Sequence, residues 1–186
     1  MRLILASASP RRAELLESAG FTFEIMAADV DETPGEGEKP GIYTQRVALE
    51  KARQILRSVE VAGAVVLAAD TEVVVDGRIL GKPADAGHAG EMLRLLSGRD
   101  HDVLTAVVVS ARGLERIEVV TTRVHVVPLT AVEIDWYVAS GEPMGKAGAY
   151  VIQVLGARFI DRIEGSWSNV VGLPLDRVHR LLAAVE

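Results

Sequence analysis

The chain has 186 residues, which is long enough for one domain or for one domain with two lobes. Its formal net charge of -6 argues against a broad basic surface for a nucleic-acid polymer, so an anionic ligand must be bound by a local cluster of Arg and Lys. The absence of cysteine excludes disulfides, thiolate metal sites and a cysteine nucleophile.

The chain begins with a short apolar strand, predicted over residues 3–6, and a turn of small residues. Ser9 then stands at the N-cap and Pro10 at the first position of a helix that continues over residues 11–19. Apolar and polar residues alternate after this helix, which predicts a second strand over residues 21–25.

Two cations lie in the first turn of that helix. Arg11 and Arg12 are placed where the positive end of the helix dipole disfavours positive charge. A phosphate held by the helix N-terminus, both guanidinium groups and the hydroxyls of Ser7 and Ser9 would remove this conflict. The segment therefore predicts a phosphate-binding turn, and the alternative is that both arginines point into solvent.

An acidic loop with prolines and glycines is predicted over residues 29–41, followed by a helix over residues 42–61. A long apolar strand over residues 64–75 ends at the hairpin turn Asp76-Gly77. The next helix is predicted over residues 85–96, with the aspartate at its first position as the N-cap.

Two β-branched runs, residues 103–111 and 117–127, predict an antiparallel hairpin with its turn near Arg112 and Gly113. A capping box is expected at the start of the following helix, because a glutamate stands three residues after Thr130. The remaining predicted elements are a helix over residues 130–139, a loop over 141–148, a strand over most of 150–163 and a helix over 174–185.

Helices alternate with strands, but some strands are joined as hairpins, so we expect a mixed sheet rather than a purely parallel one. The expected fold is α/β with two lobes and a cleft between them, within a single domain over residues 1–186. No apolar stretch approaches the roughly 20 residues that span a bilayer, and the N-terminus does not resemble a signal peptide. We therefore expect a cytoplasmic protein with no membrane partner.

Asp70 interrupts the apolar strand over residues 64–75. A carboxylate inside such a strand is costly to bury unless it is paired, hydrogen-bonded or bound to a metal, so Asp70 is a candidate metal ligand or general base. The alternative is a bulge that turns Asp70 and Glu72 outward into solvent. Glu32, in the acidic loop, could supply a further oxygen ligand to Mg²⁺, which proteins hold with one or two carboxylates plus substrate phosphates.

Lys82 lies between Gly81 and Pro83, which fix the local backbone and favour recognition of a phosphate by its ammonium group. Lys51, in the middle of a predicted helix, is expected to be an ordinary exposed lysine. Gln153 lies inside an apolar run and is expected to be a neutral amide in a strand. Such an amide needs partners, so it either reads the edge of a base or is satisfied by backbone groups.

These residues belong to an ordered set of motifs that resembles the Maf family of nucleotide pyrophosphatases, relatives of the inosine triphosphate pyrophosphatases. The motifs run over nearly the whole chain: Ala6-Ser7-Ala8-Ser9-Pro10-Arg11-Arg12, Val30-Asp31-Glu32, Glu50-Lys51-Ala52, Ala69-Asp70-Thr71, Gly81-Lys82-Pro83, Leu96-Ser97-Gly98, Tyr137-Val138-Ala139-Ser140-Gly141-Glu142-Pro143, Lys146-Ala147-Gly148-Ala149-Tyr150, Gln153 and Asn169-Val170-Val171-Gly172-Leu173-Pro174.

The resemblance implies a fold like that of the inosine triphosphate pyrophosphatases and hydrolysis of a nucleoside triphosphate to the monophosphate and pyrophosphate. It also implies a divalent cation, Mg²⁺ or Mn²⁺, and a cytoplasmic enzyme that is often a homodimer. The motif over residues 146–150, followed by Gln153, resembles the branch that acts on dTTP and UTP. Some members of the family are linked to septum formation and to the removal of modified nucleotides.

The resemblance also assigns roles to individual residues: Asp70, Lys51 and Lys82 are expected to be catalytic, Glu32 and Asp70 to hold the metal, and Ser7, Ser9, Arg11, Arg12, Thr71 and Gln153 to bind substrate. Val151 and Val154 stand where small residues are expected, and Glu72 where an apolar residue is more usual, so these departures bear on substrate preference.

Two other functions remain open from the sequence. The first is a nucleotide-binding regulator of septum formation without catalysis. The presence of both Asp70 and Glu32 favours an enzyme over this regulator. The second is a phosphatase that releases phosphate, rather than pyrophosphate, from a sugar or a nucleotide monophosphate.

Overall fold

The structure is a computed structural model that describes residues 2–58, 63–111 and 113–185. Its strands are β1 (Leu3–Leu5), β2 (Glu24–Ile25), β3 (Val65–Val75), β4 (Arg78–Leu80), β5 (Asp100–Ala111), β6 (Leu114–Val126) and β7 (Ile160–Glu164). Its helices are α1 (Pro10–Ser18), α2 (Pro40–Leu56), α3 (Ala86–Leu96), α4 (Ala131–Ala139), α5 (Trp167–Val171) and α6 (Leu175–Ala183).

The strands form a seven-stranded mixed sheet in the order β2-β1-β3-β5-β6-β7, with β4 paired to β3. β1 is parallel to both β2 and β3, whereas β4 is antiparallel to β3 and β7 is antiparallel to β6. The mixed α/β fold that the sequence predicts is therefore confirmed. The described chain divides into two compact units, and the expected cleft and single domain stay predictions.

The first unit comprises residues 1–70, 105–120 and 172–186. β1 and β3 run in register there, with Leu5 opposite Leu67. Alternate residues of a strand point to the same face of a sheet. One face of these two strands accordingly packs against α2, in a cluster that includes Ile4, Ala6, Val66, Ala68, Ala48, Ala52 and Ile55.

The second unit comprises residues 71–104 and 121–171. Its core joins the second part of β3 to α3 and α4, with Val73, Leu93 and Tyr137 in one buried cluster. The rings of Tyr137 and Phe159 meet edge to face with their centroids 5.3 Å apart. This packing places α4 and the segment that precedes β7 around one aromatic centre.

Local signals in the sequence predict several element boundaries. The Asp85 side chain accepts the backbone N–H of His88 at the start of α3, as an N-cap does. The capping box of Thr130 and Glu133 is present at the start of α4. The Asp76-Gly77 turn connects β3 to β4, so the first predicted hairpin is confirmed.

The strand predicted over residues 150–163 is wrong for most of its length. Irregular chain is followed by a 3₁₀ helix, Leu155–Phe159, and only then by β7. The second strand is shorter than predicted, and α5 has no counterpart among the elements that the sequence predicts. The helix predicted over residues 42–61 ends at Leu56; its residues 59–61, like Arg112 of the second predicted hairpin, lie outside the described residues.

Within the described ranges, no helix has the length and apolar character that crossing a membrane requires.

Candidate active site

The turn after β1 is organised by a serine and a buried arginine. Ser7 Oγ accepts the backbone N–H of Ser9 at 3.2 Å and Nη1 of Arg12 at 3.1 Å. Arg12 Nε donates to the carbonyl oxygen of Gly172 at 2.8 Å. Arg12 is therefore buried and held at two points, so it does not point into solvent. Arg11, beside it on α1, is half-buried.

Ser9 stands at the N-cap of α1, as predicted, and Pro10 is at the start of the helix. The Ser9 side chain makes no capping hydrogen bond, and neither of the first two side chains of the helix is acidic. No acidic side chain in the first turn of α1 neutralises the positive end of the helix dipole, so this end of the helix favours an anionic ligand.

The strand and helix periodicities bring an acid and a lysine together. Val66, Ala68 and Asp70 alternate along β3 on the face that packs against α2. Ala52 of α2 belongs to the same cluster, and Lys51 precedes it on the helix. The apolar packing of α2 against β3 therefore places Lys51 next to Asp70.

Lys51 bridges two carboxylates. Its ammonium Nζ lies 2.7 Å from Asp70 Oδ1 and 2.7 Å from Glu32 Oε1. Lys51 and Asp70 are only 7% and 5% exposed, whereas the side chain of Glu32 is 40% exposed. These three residues are called the Lys51 cluster below. The expectation that Lys51 is an ordinary exposed lysine is wrong, because its partners come from a loop and a strand distant in sequence.

The outward bulge considered for β3 is not present. Asp70 and Glu72 are both buried within the strand. A buried carboxylate of this kind requires a partner, and Lys51 supplies one for Asp70. The cost of burying the Asp70 carboxylate is therefore offset by its ion pair with Lys51 rather than avoided by exposure to solvent.

The Lys51 cluster fits a divalent cation. One ammonium against two carboxylates leaves one net negative charge, and Asp70 Oδ2 is buried with no hydrogen-bond partner among the described residues. Carboxylate oxygens are ligands that Mg²⁺ prefers, and one or two of them suffice when phosphates complete its coordination. No group of three or more His, Asp or Glu side chains suited to a metal occurs in the described part of the chain.

The acidic loop that carries Glu32 is tied to α2. Tyr43 Oη donates to the carbonyl oxygen of Glu32 at 2.7 Å. Arg46 Nε donates to Glu38 Oε1 at 2.9 Å, and its Nη2 donates to the carbonyl oxygen of Thr33 at 3.0 Å. The hydrogen bond from Arg46 lowers the pKa of Glu38 to about 2. Tyr43 and Arg46 belong to none of the sequence motifs, so the sequence alone does not identify them as residues that hold this loop.

The other predicted site residues lie in the second unit. Thr71 is half-buried on β3, and Lys82 is exposed after β4. Gln153 is exposed in a bend, so the prediction of a neutral amide within an apolar strand is wrong. The seven remaining candidates, Ser7, Ser9, Arg11, Arg12, Glu32, Lys51 and Asp70, belong to the first unit.

Comparison with known proteins gives a match over almost the whole chain. A family model described as Maf-like protein matches residues 2–185. A dTTP/UTP pyrophosphatase of Anaeromyxobacter dehalogenans is 54% identical over 185 residues, covering 97% of this chain and 92% of the relative. A dTTP/UTP pyrophosphatase of Shewanella oneidensis is 49% identical, with 98% and 97% covered.

A solved structure supports the fold. The Ham1 protein of Staphylococcus aureus superimposes with a TM-score of 0.54 at 12% identity, covering 100% of both chains. At this identity, the likeness concerns the mixed α/β architecture alone.

Proposed function

The chain belongs to the Maf family, and we propose that it is an enzyme that hydrolyses nucleoside triphosphates, preferably dTTP and UTP, to the monophosphate and pyrophosphate. The names of its relatives support this reaction. The observation that carries the proposal is the Lys51 cluster, in which a buried carboxylate on β3 keeps one oxygen without a partner among the described residues. Arg11 and Arg12 lie at the start of α1, which follows β1, the parallel neighbour of β3.

Charge governs the first requirement of the reaction. The Lys51 cluster has one net negative charge, so it repels a triphosphate unless cations are added. We propose that Asp70 and Glu32 hold Mg²⁺ or Mn²⁺, which supplies charge neutralisation and Lewis acidity when bound. Arg11, Arg12 and Lys82 contribute the protein's own positive charge to the phosphates.

Asp70 is proposed as the general base. Its carboxylate takes a proton from a water whose oxygen attacks the α-phosphorus, and the bond from that phosphorus to the bridging oxygen breaks as pyrophosphate leaves. Lys51 orients the carboxylate through Oδ1, and the arginines stabilise the leaving group. Ser7 and Ser9 position one phosphate at the start of α1.

Thr71 and Gln153 are proposed to recognise the base, as the family resemblance implies. Gln153 is exposed, which leaves its amide accessible to a ligand. Val154, beside it, is 65% exposed, whereas Val151 is buried, so of these two departures Val154 is the one that a ligand can reach. Hydrolysis of modified nucleotides, a cytoplasmic location and a homodimeric state are part of the same proposal.

The test is a product analysis with dTTP, UTP, CTP, GTP, 7-methyl-GTP and ITP, each with Mg²⁺ or Mn²⁺. We expect monophosphate and pyrophosphate from dTTP and UTP, and a loss of about 10²–10⁴-fold in turnover for Asp70→Asn with nucleotide binding retained. Asp76→Asn is the matched control, because Asp76 is an exposed carboxylate in the turn that ends the same strand. Phosphate as the only product would indicate a phosphatase, and binding without turnover would indicate a regulator.

A further inference from the structure

The segment over residues 151–156, which carries Gln153, is fixed at both ends by two side chains outside it. Tyr137 Oη accepts the backbone N–H of Val151 at 3.2 Å. Glu142 Oε2 accepts the N–H of Leu155 at 3.1 Å, and its Oε1 accepts the N–H of Gly156 at 2.9 Å. Tyr137 Oη also donates to Glu142 Oε1 at 2.9 Å, so the two side chains form one unit.

The two ends of this segment approach each other closely. A Cβ at Gly156 would lie 2.3 Å from the carbonyl oxygen of Val151 and 2.6 Å from Tyr137 Oη. Residues 151–156 therefore form a closed loop whose neck has room for glycine alone. Tyr137 is fully buried and packs against Phe159, so the side chain that contacts the neck of the loop is itself held in place.

The tip of the loop has the opposite character. Gln153 and Val154 are exposed, while Val151 and Gly156 at the neck are buried. Because the neck of the loop is fixed and its tip is exposed, the backbone position of Gln153 is set while its side chain stays accessible. A residue that contacts a ligand through its amide requires both properties.

We propose that Tyr137 and Glu142 are positioning residues for base selection, since they hold the loop that presents Gln153 to the pyrimidine. This inference rests on the proposed pyrophosphatase function. The chemistry explains why residue 142 is an acid: an ionised carboxylate is an acceptor only, and here it meets three donors at once. A glutamine in its place would direct an amide N–H₂ group at one of those donors.

The experiment compares wild type with Glu142→Gln and Tyr137→Phe, using dTTP, UTP and CTP as probes. We expect KM for dTTP and UTP to rise about tenfold, the size of effect expected when one hydrogen bond is lost, and the preference over CTP to fall similarly. The value of kcat should change less than about threefold, because the loss is in binding shared by ground and transition states. Amide hydrogen exchange at residues 155 and 156 should accelerate in Glu142→Gln.

Two further variants separate positioning from general destabilisation. Thr130→Ala removes the N-cap of α4, the helix that bears Tyr137, without touching the loop, and should leave the dTTP:CTP preference unchanged. Glu142→Gln combined with Gln153→Ala should be no worse than Gln153→Ala alone, because both act through one side chain.

The outcomes distinguish the two proposals. An unchanged dTTP:CTP preference in both Glu142→Gln and Tyr137→Phe, with an active wild type, overturns this inference alone. Equal loss of preference in Thr130→Ala overturns it too, since the effect would then follow stability. A wild-type protein that hydrolyses none of the nucleotides overturns the proposed function instead.

Discussion

Replacing Lys51 with methionine would leave the Asp70 carboxylate buried without its counter-ion. Methionine keeps most of the aliphatic volume of lysine, so the packing of α2 against β3 is largely retained. Asp70 is 5% exposed and its Oδ2 already has no hydrogen-bond partner among the described residues, so little is left to offset the lost ammonium. Lys51→Met should therefore be strongly destabilising.

The contact distance gives the magnitude. At the 2.7 Å separation of Lys51 Nζ and Asp70 Oδ1, an effective dielectric constant of about 20 gives an attraction of about 6 kcal/mol. The variant no longer has to desolvate the ammonium, which offsets part of that loss. The net cost of removing one partner of a buried pair is about 3–5 kcal/mol. In the double variant Lys51→Met/Asp70→Asn no charge of this pair remains buried, and about 2–3 kcal/mol should return.

The assay is urea unfolding at pH 7 without nucleotide or divalent metal, followed by circular dichroism. Arg53→Met is the matched control on the same helix, because Arg53 pairs with Glu115 while its own side chain is 51% exposed. Its loss should stay within about 1 kcal/mol, as for other surface pairs. A loss below about 1 kcal/mol for Lys51→Met, or a double variant no more stable than the single one, would show that the buried Asp70 carboxylate does not depend on Lys51 for its stability.

Two predictions concern the second unit. Burial lowers the pKa of His101 from 6.5 to about 4; the unfolded chain then binds the proton first, so stability is lost as pH falls from 6.5 towards 4. Between pH 8 and pH 5, wild type should lose about 2 kcal/mol more than His101→Gln in urea unfolding, and parallel pH profiles would contradict this. Gly148→Ala should lower stability by at least about 2 kcal/mol, because Gly148 has a φ of 67° and a new Cβ would meet Val73 at 2.8 Å. Thermal unfolding checks this against Gly141→Ala, which has a φ of 76° and no atom within 4 Å of the new Cβ; equal losses would show that the contact with Val73 has no cost.

The elements that the sequence predicts well are those whose signals are local. The caps of α3 and α4 depend on side chains that bond the backbone three residues away, as Asp85 does with His88 and Thr130 with Glu133. Such bonds form within one turn of chain and need no tertiary contact. The incorrect prediction of a strand over residues 150–163 is the opposite case, because the structure of this segment depends on contacts from outside it. Tyr137 and Glu142 accept the backbone N–H groups that strand pairing would have used.

The mixed α/β class, the family and the residue types available for chemistry could all be predicted from the sequence, because periodicity, turn residues and ordered motifs are local properties of the chain. The burial and ion pairs of Lys51 and the exposure of Gln153, by contrast, depend on tertiary contacts. The neighbouring residues in sequence predict an exposed lysine and a strand amide, yet the lysine is buried between Glu32 and Asp70 and the amide is exposed on a closed loop. Burial and pairing depend on which distant segments pack together, and neither property is carried by the neighbours of a residue in sequence.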